Sequence, residues 1–321
     1  MNRIATLAIL PMMTIAIVVF ARFADGGGSK AEPPSSGVIV VANLRTESLD
    51  FLDVVTGNVK QLLLPGPPHE MLMSGGRLYV TLGRGNAVVE IEPNSAAILR
   101  VLHLEGEPHG LAAWAENLVV TLDKGNEAVV IDRASLAELR RYPTGDTPHV
   151  VAVSSDAVLV TDSRDNMVRQ IVPATATTST GLQPEGIAIV GDDVVTADAA
   201  GNTVTIARAS DLAEAGTLPV GSGPVRVMNL DGKLALVSLQ GADQVALIDV
   251  AQRKVERRMT TGGRPDGLCP SPEGAYFGSA ANAEGELTVF ATEDWKPAAK
   301  YDLEVGLGSC LWFQSSLTTV N

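Results

Sequence analysis

Seven times along the chain a string rich in glycine and proline leads into a short apolar run, and no other feature constrains the fold so tightly. The copies are GPPHEML (66–72), GEPHGLA (106–112), GDTPHVV (145–151), LQPEGIA (182–188), GSGPVRV (221–227), GRPDGLC (263–269) and GLGSCLW (306–312). The residue after the proline gives marker positions His69, His109, His149, Glu185, Val225, Asp266 and, without a proline, Ser309, at steps of 40, 40, 36, 40, 41 and 43 residues. A repeat of about 40 residues built from four short strands is one small twisted sheet, which buries its faces only against copies of itself. The predicted fold is an all-β, seven-bladed β-propeller of four-stranded blades.

Within each unit the pattern supplies the strands. Second strands such as RLYVTL (77–82) and NLVVTL (117–122) and third strands such as AVVEIE (87–92) and TVTIAR (203–208) are rich in Val, Ile, Tyr and Thr. Gly-Asn pairs at 85–86, 125–126 and 201–202 join them as hairpins. Outer strands such as 138–142 and 255–259 carry charge, which protects a free sheet edge from pairing with other chains. The first repeat element is a second strand (37–42) and the last is a first strand (309–317). Closing the ring therefore requires a 3+1 seam, with three N-terminal strands and one C-terminal strand in the seventh blade.

Tyr79-Val-Thr-Leu82, Asn86 to Glu92, Val129-Val-Ile-Asp132 and Pro108-His-Gly-Leu-Ala112 resemble the YVTN-type β-propeller repeat family, over nearly all of Val38 to Phe313. The resemblance implies kinship with extracytoplasmic, cytochrome D1/lactonase-like seven-bladed propellers, among which are surface proteins, redox-associated periplasmic proteins and lactonase-like proteins. It specifies a fold and leaves activity to the site.

The sequence divides into residues 1–24, a linker at 25–36 and the propeller at 37–321. Arg3 precedes an uncharged apolar run, Ile4 to Ala21, and a Gly/Ser/Pro-rich stretch follows. This is either an export signal cleaved after Ala21 or an N-terminal membrane anchor. The expected location is extracytoplasmic, periplasmic or secreted, with membrane contact only through residues 4–21 if they are retained. With 37 acidic against 24 basic residues the net charge is −13, and without a Lys/Arg run there is no basic face for nucleic acid. Cys269 and Cys310 fall on the first strands of blades six and seven. In an oxidising compartment they point to a disulfide across the seam; the alternative is two small buried thiols.

In a propeller the loops entering the first strands open on one face, around the axial channel. Of four histidines, three occupy marker positions, and His69, His109, His149 and Glu185 offer three imidazoles and a carboxylate, a donor set that suits zinc or copper. The spacing of neighbouring first strands works against a shared ion at ~2.0–2.1 Å, and the other reading of the histidines is simple duplication of the repeat. Hairpin tips carry Arg84, Lys124 and Arg164 on the histidine half; Glu185, Asp198, Asp243, Asp266 and Glu284 lie on the other. Arg84, Lys124, Arg164 and Asp266 are therefore candidate ligand-binding residues at a polarised mouth. The function expected is an exported binding or scaffold propeller, with a metal, a small ligand or a partner protein at that mouth. The alternative is an enzyme of lactonase-like or streptogramin-lyase-like type using His149 and Glu185.

Overall fold

The structure is a computed structural model that describes residues 15–18, 21–22, 31–173, 175–213 and 215–314. Among these, seven sheets each carry a four-stranded antiparallel blade, and all seven blades have the same strand order from the axis outward. Blade one runs Pro68–Ser74, Arg77–Leu82, Ala87–Glu92 and Ala97–His103; blades two to six repeat this plan. In blade seven the innermost strand is Leu307–Phe313, and it pairs with Val38–Asn43, followed outward by Ser48–Asp53 and Asn58–Leu63. The 3+1 seam is present, with its C-terminal strand two residues earlier at the start than the pattern indicates.

The burial explains why second and third strands read as continuous apolar runs. Leu118–Leu122 and Leu78–Leu82 are buried at every position, because each blade packs on a neighbour through both faces. The outer strand Ala97–His103 instead alternates exposed and half-buried positions along its whole length. Seven apolar clusters fill the seven interfaces between blades. Small aliphatic residues make close stacking possible: Val40, Val80 and Val89 meet at the blade seven–one interface with no exposed surface.

Asparagines of the hairpins have a second role. Asn86, Asn126, Asn166 and Asn202 all adopt left-handed backbone, at φ 46–57°, a conformation that Asn tolerates well. Their side-chain oxygens accept the backbone N–H of Glu107, Thr147, Gln183 and Gly223, at 2.8–3.3 Å, in the loop that enters the next blade. The repeated turn residue is thus also a staple between blades.

Cys269 and Cys310 form a disulfide, with Cα atoms 5.5 Å apart, between the innermost strands of blades six and seven. It reinforces the interface beside the seam. Replacing both cysteines by alanine should cost about 4 kcal/mol by the loop-entropy relation for a 41-residue separation. Thermal unfolding of the double variant checks this; a melting temperature equal to that of the parent would show that the ring already supplies the constraint.

Most of the apolar leader and residues 315–321 lie outside the described residues. Of the leader, Ile15–Val18 runs antiparallel to Asn58–Leu63, and Ala21–Arg22 to Pro297–Asp302. Among the described residues no helix is long and apolar enough to cross a membrane.

Candidate functional site

A repeated hydroxyl positions the marker residues. Thr81, the threonine of Tyr79-Val-Thr, accepts the N–H of Glu70 in its own blade at 3.0 Å and donates to the carbonyl of His109 in the next at 2.6 Å. Thr121 does the same for Gly110 and His149, at 2.7 and 2.6 Å. Ser238 bonds the Arg226 N–H and the Asp266 carbonyl, and the Ser309 hydroxyl donates to the His69 carbonyl, which carries the lattice across the seam. The backbone of the mouth is therefore fixed from both neighbouring blades before any ligand arrives.

His69, His109, His149, Glu185, Val225 and Asp266 line one axial cavity of about 190 Å³, together with Arg226, Gln240, Ser309, Gly308 and Leu44. The register corrects the seventh marker. Leu307 pairs with Asn43 as Pro68 pairs with Leu82, so Gly308 is the equivalent of His69 and Ser309 lies one place further along. The three imidazoles adjoin one another. Ring centres are 4.5 Å apart for His69 and His109 and 3.9 Å for His109 and His149, with planes inclined by 41° and 33°. The blade spacing that seemed to keep them apart is bridged because the side chains lean along the ring. Gly83 permits this: a Cβ there would stand 2.8 Å from the His69 imidazole.

Burial holds the His69 and His109 imidazoles below the usual histidine value of 6.5, His109 well below it, and the adjoining histidines add to the effect. Both are neutral at pH 7. His109 is 8% exposed, and among the described residues its buried Nδ1 has no partner at hydrogen-bond geometry. The His149 Nδ1 lies 2.8 Å from the carbonyl oxygen of Glu185. A carbonyl only accepts, so Nδ1 carries a proton, and in the neutral ring Nε2 is then the atom with the lone pair. The Glu185 carboxylate itself turns to the side-chain amide of Gln183. His149 and Glu185 are therefore neighbours, as expected, but joined through backbone and not through the carboxylate. Among the described residues no three His, Cys, Asp or Glu side chains already aim donors at a common centre.

The polarised rim takes a different form from the one the sequence suggests. Arg84, Lys124 and Arg164 are exposed and line no part of the cavity. Lys124 and Arg164 stand 3.8 and 4.0 Å from Asp123 and Asp146, separations worth little in water. Three of the acids opposite are turn fasteners. Asp198 accepts from the Gly181 N–H and from Thr203 and Thr205, Asp243 from the Arg264 N–H, and Glu284 from the Gly263 N–H.

The cation that matters is Arg226. It reaches across the axis from blade five to Glu70 in blade one and bonds Asp266 through Nε at 2.9 Å. Burial works against its charge, but Glu70 and Asp266 outweigh that and hold the guanidinium above its ordinary value. Arg226 also forms part of the wall of a second cavity of about 200 Å³, lined by Glu70, Met71, Met228 and Cys310. Arg226 thus forms a wall shared by both cavities, with Glu70 on the side of the second. Neither Glu70 nor Arg226 stands out by type in the sequence. The available signal is position: each follows a marker, where blades two, four and six carry Gly110, Gly186 and Gly267.

No protein-family model matches the chain, and no curated protein matches it. The fold, however, is close to known structures. A functionally unknown protein from Desulfotomaculum acetoxidans superposes with a TM-score of 0.72 at 14% identity, covering 88% of this chain and 100% of that one. Apo AztD from Citrobacter koseri gives 0.69 at 10% identity, covering 88% and 99%. A catalytically inactive histidine-to-alanine form of virginiamycin B lyase from Staphylococcus aureus, with quinupristin, gives 0.66 at 13% identity, covering 91% and 100%. At these identities the likeness is one of fold: the chain is a seven-bladed β-propeller.

Proposed function

We propose that this protein is an extracytoplasmic binding propeller of the YVTN type whose histidine-bearing mouth takes a divalent transition-metal cation, zinc or copper. The observation that carries this reading is the trio of adjoining imidazoles with a buried, unpartnered Nδ1 on its middle member, His109. An imidazole bound at ~2.0–2.1 Å puts its ring centre about 3.2 Å from the ion, so two rings on one tetrahedral ion have centres roughly 5 Å apart. The observed separations of 4.5 and 3.9 Å are near that value, and rotation of the rings out of their tilted stack is the adjustment that loading requires.

Charge favours a cation over an anion. Asp266 and Glu185 line the cavity and Glu70 pairs with Arg226 beside it, so three carboxylates stand against one guanidinium, and burial keeps His69 and His109 neutral at pH 7. The His149 Nδ1–H held by a backbone carbonyl is the usual way a metal-binding histidine is oriented. The disulfide fits an oxidising compartment, and the acidic charge leaves nucleic acid out as a partner.

Calorimetric titration of zinc and copper(II) into the protein without a histidine tag tests this. Saturable binding tighter than millimolar is expected. His109→Ala should abolish it, and replacing His103, exposed on the outer strand of blade one, should leave it unchanged. Because the folded protein holds His69 and His109 below 6.5, protons compete only once the pH falls under that value. Affinity should still be level at about pH 6.5 and fall only on further acidification, whereas an exposed histidine site is already half protonated and losing affinity at about 6.5. Equal affinity in the His103 and His109 variants would return these residues to a role in the repeat alone.

An enzymatic reading has one support: the same tautomer leaves His149 Nε2 as a free base in the mouth, and one structure of like fold is a lyase inactivated by losing a histidine. Conversion of quinupristin by the purified protein, lost in His149→Ala, would favour that reading; no conversion under conditions where the metal binds would leave the binding function alone.

A further inference from the structure

We infer that Asp123, and not Glu185, supplies the carboxylate of the cation site, an inference that rests on the proposed imidazole site and names its fourth donor.

Asp123 belongs to a second ring of seven equivalent positions. The residue after each second strand is Leu44, Gly83, Asp123, Ser163, Ala199, Gln240 or Asn282. Six of the seven backbone N–H groups, all but that of Gly83, bond the same place in the loop that enters their own blade: Asp123 to the carbonyl of Glu107, Ser163 to Thr147, Ala199 to Gln183, Gln240 to Gly223, Asn282 to Arg264 and Leu44 to Gly306. These bonds span 2.8–3.0 Å, so the positions are geometrically equivalent and side chains placed there share one setting.

That setting is the gap between a blade's own marker and the marker of the following blade. Two members show it directly. At Gly83 a Cβ would touch the His69 imidazole of its own blade and approach the Pro108 carbonyl of the next. Gln240 in blade five donates through Nε2 to the carboxylate of Asp266, the marker of blade six, at 3.3 Å. The equivalent Leu44 and Gln240 line the histidine cavity, and the same register sets Asp123 in blade two facing His149, the marker of blade three.

What Asp123 does there is not explained by folding. Among the described residues its buried Oδ1 has no hydrogen-bond partner, and the ion contact of its other oxygen is with the exposed Lys124 ammonium at 3.8 Å. Leaving a buried carboxylate oxygen unpaired is costly. A cation held beside His149 is a partner that resolves the Asp123 Oδ1. Burial raises the Asp123 carboxyl and the facing His149 opposes that rise, which agrees with the placement. The Glu185 carboxylate, by contrast, is already engaged with Gln183.

The test uses the full chain without a histidine tag and zinc alone as the titrant, in calorimetry, with cobalt(II) absorption as a second readout. Asp123→Asn keeps the shape of the side chain and removes the anionic donor. It should weaken zinc by ~10-fold or more and change the cobalt(II) visible bands, while Glu185→Gln, which removes a charge from the cavity but no donor, should weaken zinc less and leave the bands in place. Thermal unfolding of the apo variants should show Asp123→Asn at least as stable as the parent, since an uncompensated buried charge is removed. If Asp123→Asn binds zinc like the parent while His109→Ala still abolishes binding, the donor assignment is wrong and the imidazole site stands. If Glu185→Gln is the weaker binder, the carboxylate belongs to blade four. If His109→Ala binds normally, the site itself fails.

Discussion

Deleting residues 307–321 should leave a chain without a cooperative thermal transition. The deletion removes the innermost strand of blade seven, and with it Leu307, Trp312 and Phe313, which close two interfaces at once: Phe313 packs with blade one, and Leu307 and Trp312 with blade six. Losing two large buried aromatics costs about 3–5 kcal/mol each, and loss of the Cys310 partner ends the disulfide. The sum is comparable to the whole stability of a domain, about 5–15 kcal/mol. The deletion also bares the edge of Val38–Asn43, whose Ile39, Val40 and Val41 have no exposed surface in the closed ring. Circular dichroism melting and gel filtration are the measurements. A truncated chain that melts like the parent would mean that the six-blade arc is self-sufficient. A rescue identifies the cause: Val38 pairs with Phe313, so residues 305–314 grafted ahead of Gly37 through a short Gly-rich loop should restore the transition.

The architecture was open to reading from sequence because its determinants are local and repeated. Gly-Pro approaches, apolar runs buried on both faces and Gly-Asn turns recur with one period, and each copy confirms the others. The closure followed from counting strands at the two ends. The marker of blade seven was misplaced by one residue, since Leu307 takes the register that proline takes elsewhere, and without a proline nothing in GLGSCLW signals the shift. The staple role of Asn86 and its equivalents was hidden for a related reason: a turn residue and a turn residue that also bonds the next blade look alike in sequence.

The site was half legible. Three histidines at one repeat position give a ring of imidazoles, and the structure brings His69, His109 and His149 to one cavity with Glu185 and Asp266. Charge was misassigned. Arg84, Lys124 and Arg164 are conspicuous because they align on hairpin tips, yet a tip points to solvent. Arg226 is inconspicuous, one basic residue in an apolar strand, and its partner Glu70 lies 156 positions away. Pairing across a ring axis depends on how seven sheets curve together, and no local pattern records it.

That axial pair carries the second large effect. Arg226→Met should destabilise the protein by about 3–5 kcal/mol at pH 7, the usual cost of removing one member of a buried ion pair. Its side chain is 19% exposed, and those of Glu70 and Asp266 are 15% and 20% exposed, so the two carboxylates left behind have little access to water. Adding Glu70→Gln to Arg226→Met should recover part of the loss at pH 7, because one of the two orphaned charges is removed. The same substitution bears on the cation site. Without the guanidinium the cavity is one charge more negative, so zinc should bind Arg226→Met at least as tightly as the parent, provided the apo protein is kept below its melting temperature. Equal melting temperatures for parent and Arg226→Met at both pH 7 and pH 5 would show that the pair across the axis contributes nothing to holding the ring.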